Sequence, residues 1–426
     1  MRSPRTPIAV LLLAVAAGGV VSCWSGESAT HPPPAEFLIA SGDSTYWVTS
    51  GAEGVRLRGS PIALSRVGTR FYEVYVADDD HSFYDAVFVA QRIYRRDLLT
   101  GDSMAVFADS SVGRLARRYA VRHPEAEPLG PEDAASDDPR AVATGEIEIL
   151  DAHGPYLSYE YRADVDVDEE PEVHATRRGV VDLRSGQRAT LPVMFGDQGA
   201  ALAIARGRRA YHDVLDSARA SRDARARRAA AALDAFAFDE RSYSLAETDD
   251  REPAVAFLVP GTGERGAGLA LPLPPVPVSP PAWWAEVRDA LPERHSSDSA
   301  GAADDRWRRE TYDVLADYDS LGESLALALR DTTGRQWHVG RLAAPAHHVY
   351  WIDGGRVDSA ARRGLARAFD ESALYGDEVR TAVRERRGTR GEGRVVRSAS
   401  WRRPRPAPPP LHSPWHRAGR RDARRG

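Results

Sequence analysis

The 426-residue sequence has one cysteine and no lysine. A single cysteine excludes any disulfide within the chain, so the fold must stand on its packed core without covalent staples. It also excludes a Cys-x-x-Cys metal or redox pair. Without lysine, all 57 basic residues are arginine, which together with the heavy use of alanine marks GC-rich coding rather than a chemistry. Beyond the first 22 residues no apolar run approaches the ~20 residues that cross a bilayer, so the body is expected to lie outside the membrane. No His-Glu-x-x-His or Gly-x-Ser-x-Gly motif occurs, and "PGTGERGAG" lacks the lysine and hydroxyl residue of a phosphate-binding loop. Its glycines read as a flexible turn, and no cofactor is expected.

The position of the one cysteine is informative. Arg2 and Arg5 precede an apolar run from Ile8 to Val21, and "VVSC" follows, which is the order of a secretory signal peptide. The run is too short to span a bilayer. Val20 stands three places before Cys23 and a small residue, Ser22, just before it. This pattern resembles the bacterial lipoprotein box, in which the cysteine thiol receives a diacylglyceryl group, cleavage occurs before it and the new amino terminus is acylated. The resemblance implies that residues 1–22 are a signal peptide and that acylated Cys23 holds the protein to membrane lipid in the cell envelope. The alternative is a buried free cysteine after a hydrophobic helix. Each buried lipid methylene contributes about 0.8 kcal/mol, so two or three fatty chains of the palmitoyl kind anchor durably where one does not. Trp24 follows the cysteine where an Asp would signal retention, which in a diderm implies the outer membrane, on its periplasmic or surface face. Residues 23–35, including "HPPPAE", read as a stiff proline-rich tether.

Charge is unevenly distributed. Residues 386–426 hold 13 arginines against Glu392 and Asp422, a net +11, which leaves −16 on residues 1–385 of a chain whose total is −5. This tail has no apolar periodicity and many Pro and Gly, the composition of a disordered segment. Arginines interleaved with Trp401 and Trp415 suit a polyanion. An exported protein meets little nucleic acid, so anionic lipid or lipopolysaccharide is the expected partner and nucleic acid is not. The competing reading is that the true frame ends near Val383 and the tail is a gene-model accident.

The remaining ~360 residues suffice for two or three domains. Residues 36–140 read as a β-rich domain, with Val-, Tyr- and Phe-rich strands alternating apolar and polar positions, closed by a helix "SSVGRLARRYAVRHP" capped by Ser110 or Ser111. Residues 141–292 begin a second strand series with a hairpin in "VVDLRSGQRATL". A long Ala/Arg-rich helical insert follows from about Gln198 to Phe236, and then a short helix in "SPPAWWAEVRDALPE" with Ser279 as cap. Residues 293–385 read as further strands ending in an amphipathic helix with Leu365, Phe369 and Ala373 on one face. Three Asp-led turns, Asp97 to Gly101, Asp182 to Gly186 and Asp331 to Gly334, each end one strand and start another. The expected class is therefore α+β, mostly antiparallel sheet.

The segment from about Gly145 to Pro292 resembles the extracytoplasmic domain shared by RsiV-type anti-sigma factors and PdaC-type deacetylases. The features that carry this are "GPYLSYEYRADV", then the strand–turn–strand pattern of Asp182, Gly186, Leu191 and Phe195, then the helical insert and "PAVAFLVPGTG". The resemblance covers about a third of the chain and implies a binding or sensing module, because the catalytic machinery of such proteins lies in a separate domain.

Candidate chemistry is sparse. Asp164, Asp166 and Asp168 have the spacing of the first three ligands of a calcium loop, but Glu169 stands where the loop glycine belongs and Ala175 where the last carboxylate belongs. A solvated strand face explains the same alternation. His347 and His348 are adjacent on a strand and so face opposite sides. Trp283 and Trp284 offer either an aromatic platform for sugar or peptide, or an anchor between domains. The leading expectation is a non-catalytic envelope module binding an envelope protein or glycan. A hydrolase or transferase acting on peptidoglycan or polysaccharide would instead bring several of Asp78, Asp79, His81, Asp166, His174 and His348 into one pocket. For the tail, cutting after Glu385 is expected to weaken binding to anionic vesicles, an effect that fades as salt rises, while shifting Tm by no more than roughly one or two degrees. Vesicle co-sedimentation measures this, and equal binding by the two chains would reject the arm.

Overall fold

The protein is described from a computed structural model. The structure describes residues 31–41, 44–130, 135–136, 139–167, 173–221, 237–248, 250–261, 270–291, 293–294, 305–319, 324–342, 348–352 and 357–371. Cys23, Asp168, His347, Ala373 and the tail lie outside them. The fold is α+β and dominated by antiparallel sheet, as expected. Among the described residues no helix is long and apolar enough to cross a membrane.

Strands β1 (Ala35–Ser41), β2 (Ser44–Gly51) and β3 (Gly54–Ser60) form a meander, and the late strand β21 (His348–Trp351) pairs antiparallel with β1, from Phe37 opposite Trp351 to Ala40 opposite His348. β1 reads "EFLIA" with no polar alternation because both of its faces are buried. Phe37 and Ile39 face Val314, Leu325, Leu327 and Leu329 of a five-stranded antiparallel sheet. That sheet comprises β16 (Glu293–Arg294), β17 (Asp305–Arg308), β18 (Tyr312–Tyr318), β19 (Leu325–Asp331) and β20 (Gln336–Leu342). Leu38, Ala40 and Trp47 face the other way, toward Leu64, Phe71 and a helix over residues 359–371 that presents Leu365 and Phe369. The tether does not stay clear of this body: Pro32 is buried and the Pro33 carbonyl accepts a hydrogen bond from Ser50.

The eight-stranded sheet spans β4 (Ala63–Val67), β5 (Arg70–Asp80), β6 (Ala86–Asp97), β7 (Ser103–Ala108), β8 (Ala141–His153), β9 (Tyr156–Val167), β10 (Val173–Asp182) and β11 (Gln187–Arg188). One edge of β6 takes β8 in parallel along Ala86–Ala90 and β7 antiparallel along Arg92–Arg96. Helix α1 (Ser111–Arg122) makes the crossover that a parallel pair requires and buries Val112, Leu115 and Tyr119 on Phe88, Ala143 and Val165. The expected division at residue 140 therefore falls between two strands of one sheet. Asp85 ties the ends of the crossover together, accepting from the Tyr119 hydroxyl at 2.9 Å and from Arg140, whose guanidinium holds the Asp85 carboxyl below the usual range. Ser110 occupies the N-cap position of α1, but at φ −84°, ψ 0° its side chain makes no capping bond. Asp109 Oδ1 instead accepts from the Ser111 amide at 2.8 Å.

The third unit packs α2 (Leu191–Ala220) on a small sheet of β12 (Tyr243–Glu247), β13 (Pro253–Pro260), β14 (Ala270–Pro272) and β15 (Val276–Pro277). The first turn of α2 is set off by Gly196 at φ 71°, ψ 168°, and residues 222–236 of the expected insert lie outside the described residues. α3 (Trp284–Ala290) starts five residues after the expected cap, with Trp283 rather than Ser279 at the N-cap position. The reason is Pro280 and Pro281, each of which disfavours helical backbone in the residue before it. The three Asp-led turns form as expected, with Gly101, Gly186 and Gly334 at φ of 83°, 70° and 88°. Each aspartate accepts an amide hydrogen bond two residues on, from Leu99, Arg184 and Thr333.

The helix over residues 359–371, α4, begins behind Asp358, whose Oδ1 accepts from the Ala360 amide. It lies so close to the β6–β7 turn that a Cβ on Gly364 would stand 1.7 Å from the Leu98 carbonyl oxygen. Because the obstacle is backbone, Gly364→Ala is expected to cost about 1–3 kcal/mol or more. Urea unfolding should show the midpoint fall with an unchanged slope, and a midpoint within error of the unmutated chain would refute this packing.

Candidate functional site

The alternation of β8 breaks near its end. Ile147 and Ile149 lean into the core between β4, β7 and β9, but after an irregularity between Ile149 and Asp151 it is Ala152 that continues that face. Such a bulge inserts one residue and inverts the phase of the strand beyond it. Asp151 and His153 are thereby turned to the opposite side, where β21 and α3 stand. The two-residue turn that follows, Gly154-Pro155, has Gly154 at φ 57°, and its carbonyl accepts from the buried Ser65 hydroxyl at 2.6 Å. A Cβ at Gly154 would stand 3.2 Å from Val287, so α3 sits directly on this turn.

There β21 delivers His348. Asp151 Oδ1 stands 3.3 Å from His348 Nε2 and Oδ2 stands 3.5 Å from His153 Nε2, so each imidazole faces a different oxygen of one carboxylate. Both imidazoles are 3% exposed and the carboxylate 19%. The two rings are mutually perpendicular, with centroids 5.5 Å apart. Trp284 stacks on His153 at 5.4 Å and 19°, and Tyr350 stacks on His348 at 6.0 Å and 13°, so an aromatic face holds each ring from behind. Burial, reinforced by the Asp151 charge and opposed by Arg66, pushes the Tyr350 phenol well above its ordinary value. Among the described residues these three side chains form the one group whose His, Cys, Asp or Glu ligand atoms all lie within 4.8 Å of one another.

The residues singled out in the sequence are distributed differently. Asp79 accepts from Arg92 and lies 3.4 Å from His81, while Asp78 accepts from Gln91 at 3.0 Å. Asp164 pairs with His174 at 2.9 Å across the β9–β10 rung, and Asp166 is exposed farther along β9. β6 and β8 separate the two groups, about 14 Å at the usual strand spacing. Of the expected catalytic set only His348 enters the buried cluster. Neither Asp151 nor His153 belongs to a named motif. The one signal they leave is Asp-x-His spacing on a strand, which puts two ligand types on one face.

No protein-family model matches the chain, and no curated protein matches it. Solved structures that are similar to part of it include two DUF3298 family proteins. A DUF3298 family protein from Pseudomonas aeruginosa PAO1 is 12% identical with a TM-score of 0.30, over 49% of this chain and 94% of its own. A DUF3298 family member from Bacteroides fragilis NCTC 9343 is 9% identical with a TM-score of 0.27, over 50% and 92%.

The tryptophan pair sits at the same place as the cluster. Trp283 donates its indole N–H to the Met194 carbonyl at 3.0 Å and meets Tyr156 edge-on at 4.9 Å, while Trp284 donates to the Arg251 carbonyl at 3.3 Å. Trp284 is only 1% exposed, so it stands as an anchor between β8 and the 251 turn, and any outward aromatic surface is left to Trp283. Trp284→Ala is expected to lower stability by about 3–5 kcal/mol in urea unfolding, the range for a fully buried large aromatic. A loss below about 1 kcal/mol would show that the indole carries no core.

Proposed function

We propose that the chain is an exported lipoprotein, held in the cell envelope by fatty acyl chains on Cys23, whose body is a non-catalytic binding module for an envelope protein or glycan. The observation that carries this reading is the short interval between Cys23 and the packed body. With Pro32 already buried, eight residues separate the lipid site from the core, nine steps along the chain and a reach of about 30 Å at full extension. A fold placed that close to a bilayer meets membrane-proximal partners. The resemblance of residues 145–292 to the RsiV/PdaC-type extracytoplasmic domain supports a binding role, as does the separation of Asp78, Asp79 and His81 from Asp166 and His174 across β6 and β8. The acyl chains make residues 1–22 a signal peptide, and the basic tail of residues 386–426 adds a second attraction to anionic lipid.

Cys23→Ala is expected to move the protein from the membrane fraction to the soluble fraction and to abolish incorporation of a fatty-acid probe. Equal labelling of both chains would sink the lipoprotein reading.

A further inference from the structure

We propose that Asp151, His153 and His348 bind one divalent cation of the zinc class, and that this ion pins β21 to the β8–β9 turn. Zinc bonds of 2.0–2.2 Å at tetrahedral angles set neighbouring ligand atoms about 3.3–3.5 Å apart. The carboxylate–imidazole separations here are 3.3 and 3.5 Å. A charge-assisted N–H···O bond between the same groups would close to about 2.7–2.9 Å. The His348 contact is a hydrogen bond at the long edge of the range, and the two separations, to different oxygens of Asp151, match the spacing of ligands around a shared centre. Two imidazoles and one carboxylate are a donor set for zinc and its transition-metal neighbours. Calcium and magnesium call for six or more oxygens, which this cluster does not offer.

The surroundings hold both imidazoles in place. Trp284 and Tyr350 fix both rings, and the bulge in β8 exists at the residue that aims Asp151 inward. Three protein ligands leave one tetrahedral position for water or another donor. The ligands come from positions 197 residues apart, Asp151 and His348, so an ion shared between them would resist separation of β21 from the eight-stranded sheet. This inference stands apart from the lipid anchor.

The test uses the full chain without an affinity histidine tag, in detergent and stripped with chelator. Titration with zinc chloride by calorimetry is expected to show one ion bound per chain, with Tm rising as zinc rises. Cobalt(II) should give the visible bands of a four-coordinate site. Asp151→Asn keeps the shape of a partly exposed side chain and should fold. It is expected to weaken zinc binding by roughly tenfold or more and to flatten the Tm response, and His348→Gln should do the same. A folded, unmutated chain that takes up no zinc overturns the proposal. Zinc bound equally by Asp151→Asn would place the ion among other histidines and also overturns it. So does a variant destabilised to the same degree with and without zinc, which would make the cluster a hydrogen-bonded triad.

Discussion

The pairing of β1 with β21 is the contact on which the rest of the architecture depends. It joins residue 40 to residue 348, and it places a strand with two buried faces between two separate cores. Loop-closure entropy rises only with the logarithm of loop length, about 0.6 kcal/mol for each doubling, so a pairing this distant in sequence is tolerated once both faces are covered. Glu36 reinforces it in three directions. Its carbonyl accepts from the Ile352 amide at 3.1 Å, and its carboxylate takes Trp47 Nε1 at 3.2 Å and Arg362 of α4 at 2.6 Å. Losing β21 would expose Phe37 to one side and Leu38 to the other at once, so the first and last strands of the body stand or fall as one unit.

That closure matters chemically only because β8 changes phase. Had the strand kept its period, Asp151 would have continued the face of Ile147 and Ile149 into an apolar core, where an ionised carboxylate is costly without a partner. The bulge costs one unpaired residue in the ladder and returns a carboxylate and an imidazole on the same side, facing the strand that β1 holds in place. The same sheet has its other irregularity between Ile93 and Tyr94, within the β6–β7 pairing and just past the residues where β7 takes over the edge of β6 from β8. Both departures from regular pairing sit where a strand changes neighbours or surroundings.

The part of the fold that is legible in the residues alone is the local part. Val- and Tyr-rich alternation marks β5, β6 and β9, Leu-Ala alternation marks β19, and an Asp followed by a positive-φ glycine marks three tight turns, because each is decided within a few neighbours. The apolar face of α4 at Leu365 and Phe369 is legible for the same reason. The parallel β6–β8 pair and the β1–β21 pair are not, since strand periodicity says which face is buried and not which strand lies alongside. Divisions placed at residues 140 and 292 follow polar connectors, yet one sheet runs past the first and β21 returns past the second to join β1. Asp151 and His153 stay hidden for a sharper reason. The bulge that unites them with His348 removes the alternation by which their face would be assigned.

The missing lysines also have a structural consequence. Whatever its origin in coding, an arginine-only set of cations lets one side chain serve two carboxylates in a fixed fork. Arg96 reaches Glu73 on β5 and Glu371 on α4, each at 2.7 Å, and so holds α4 to the eight-stranded sheet. Burial still lifts the Glu73 carboxyl above its usual range, Arg96 offsetting only part of that. Asp313 shows the other balance: burial pushes its carboxyl up, but hydrogen bonds from Arg330 at 2.7 Å and Arg306 at 2.6 Å bring it below the ordinary value. The planar heads also lie over rings, Arg95 on Tyr72 and Arg177 on Tyr161 at 4.8 Å and Arg309 on Trp351 at 4.6 Å. A lysine ammonium would keep the charge in each case and lose the fork or the stacked plane. With no disulfide available, these forks and stacks are the directional ties between elements whose apolar faces alone would leave their register loose.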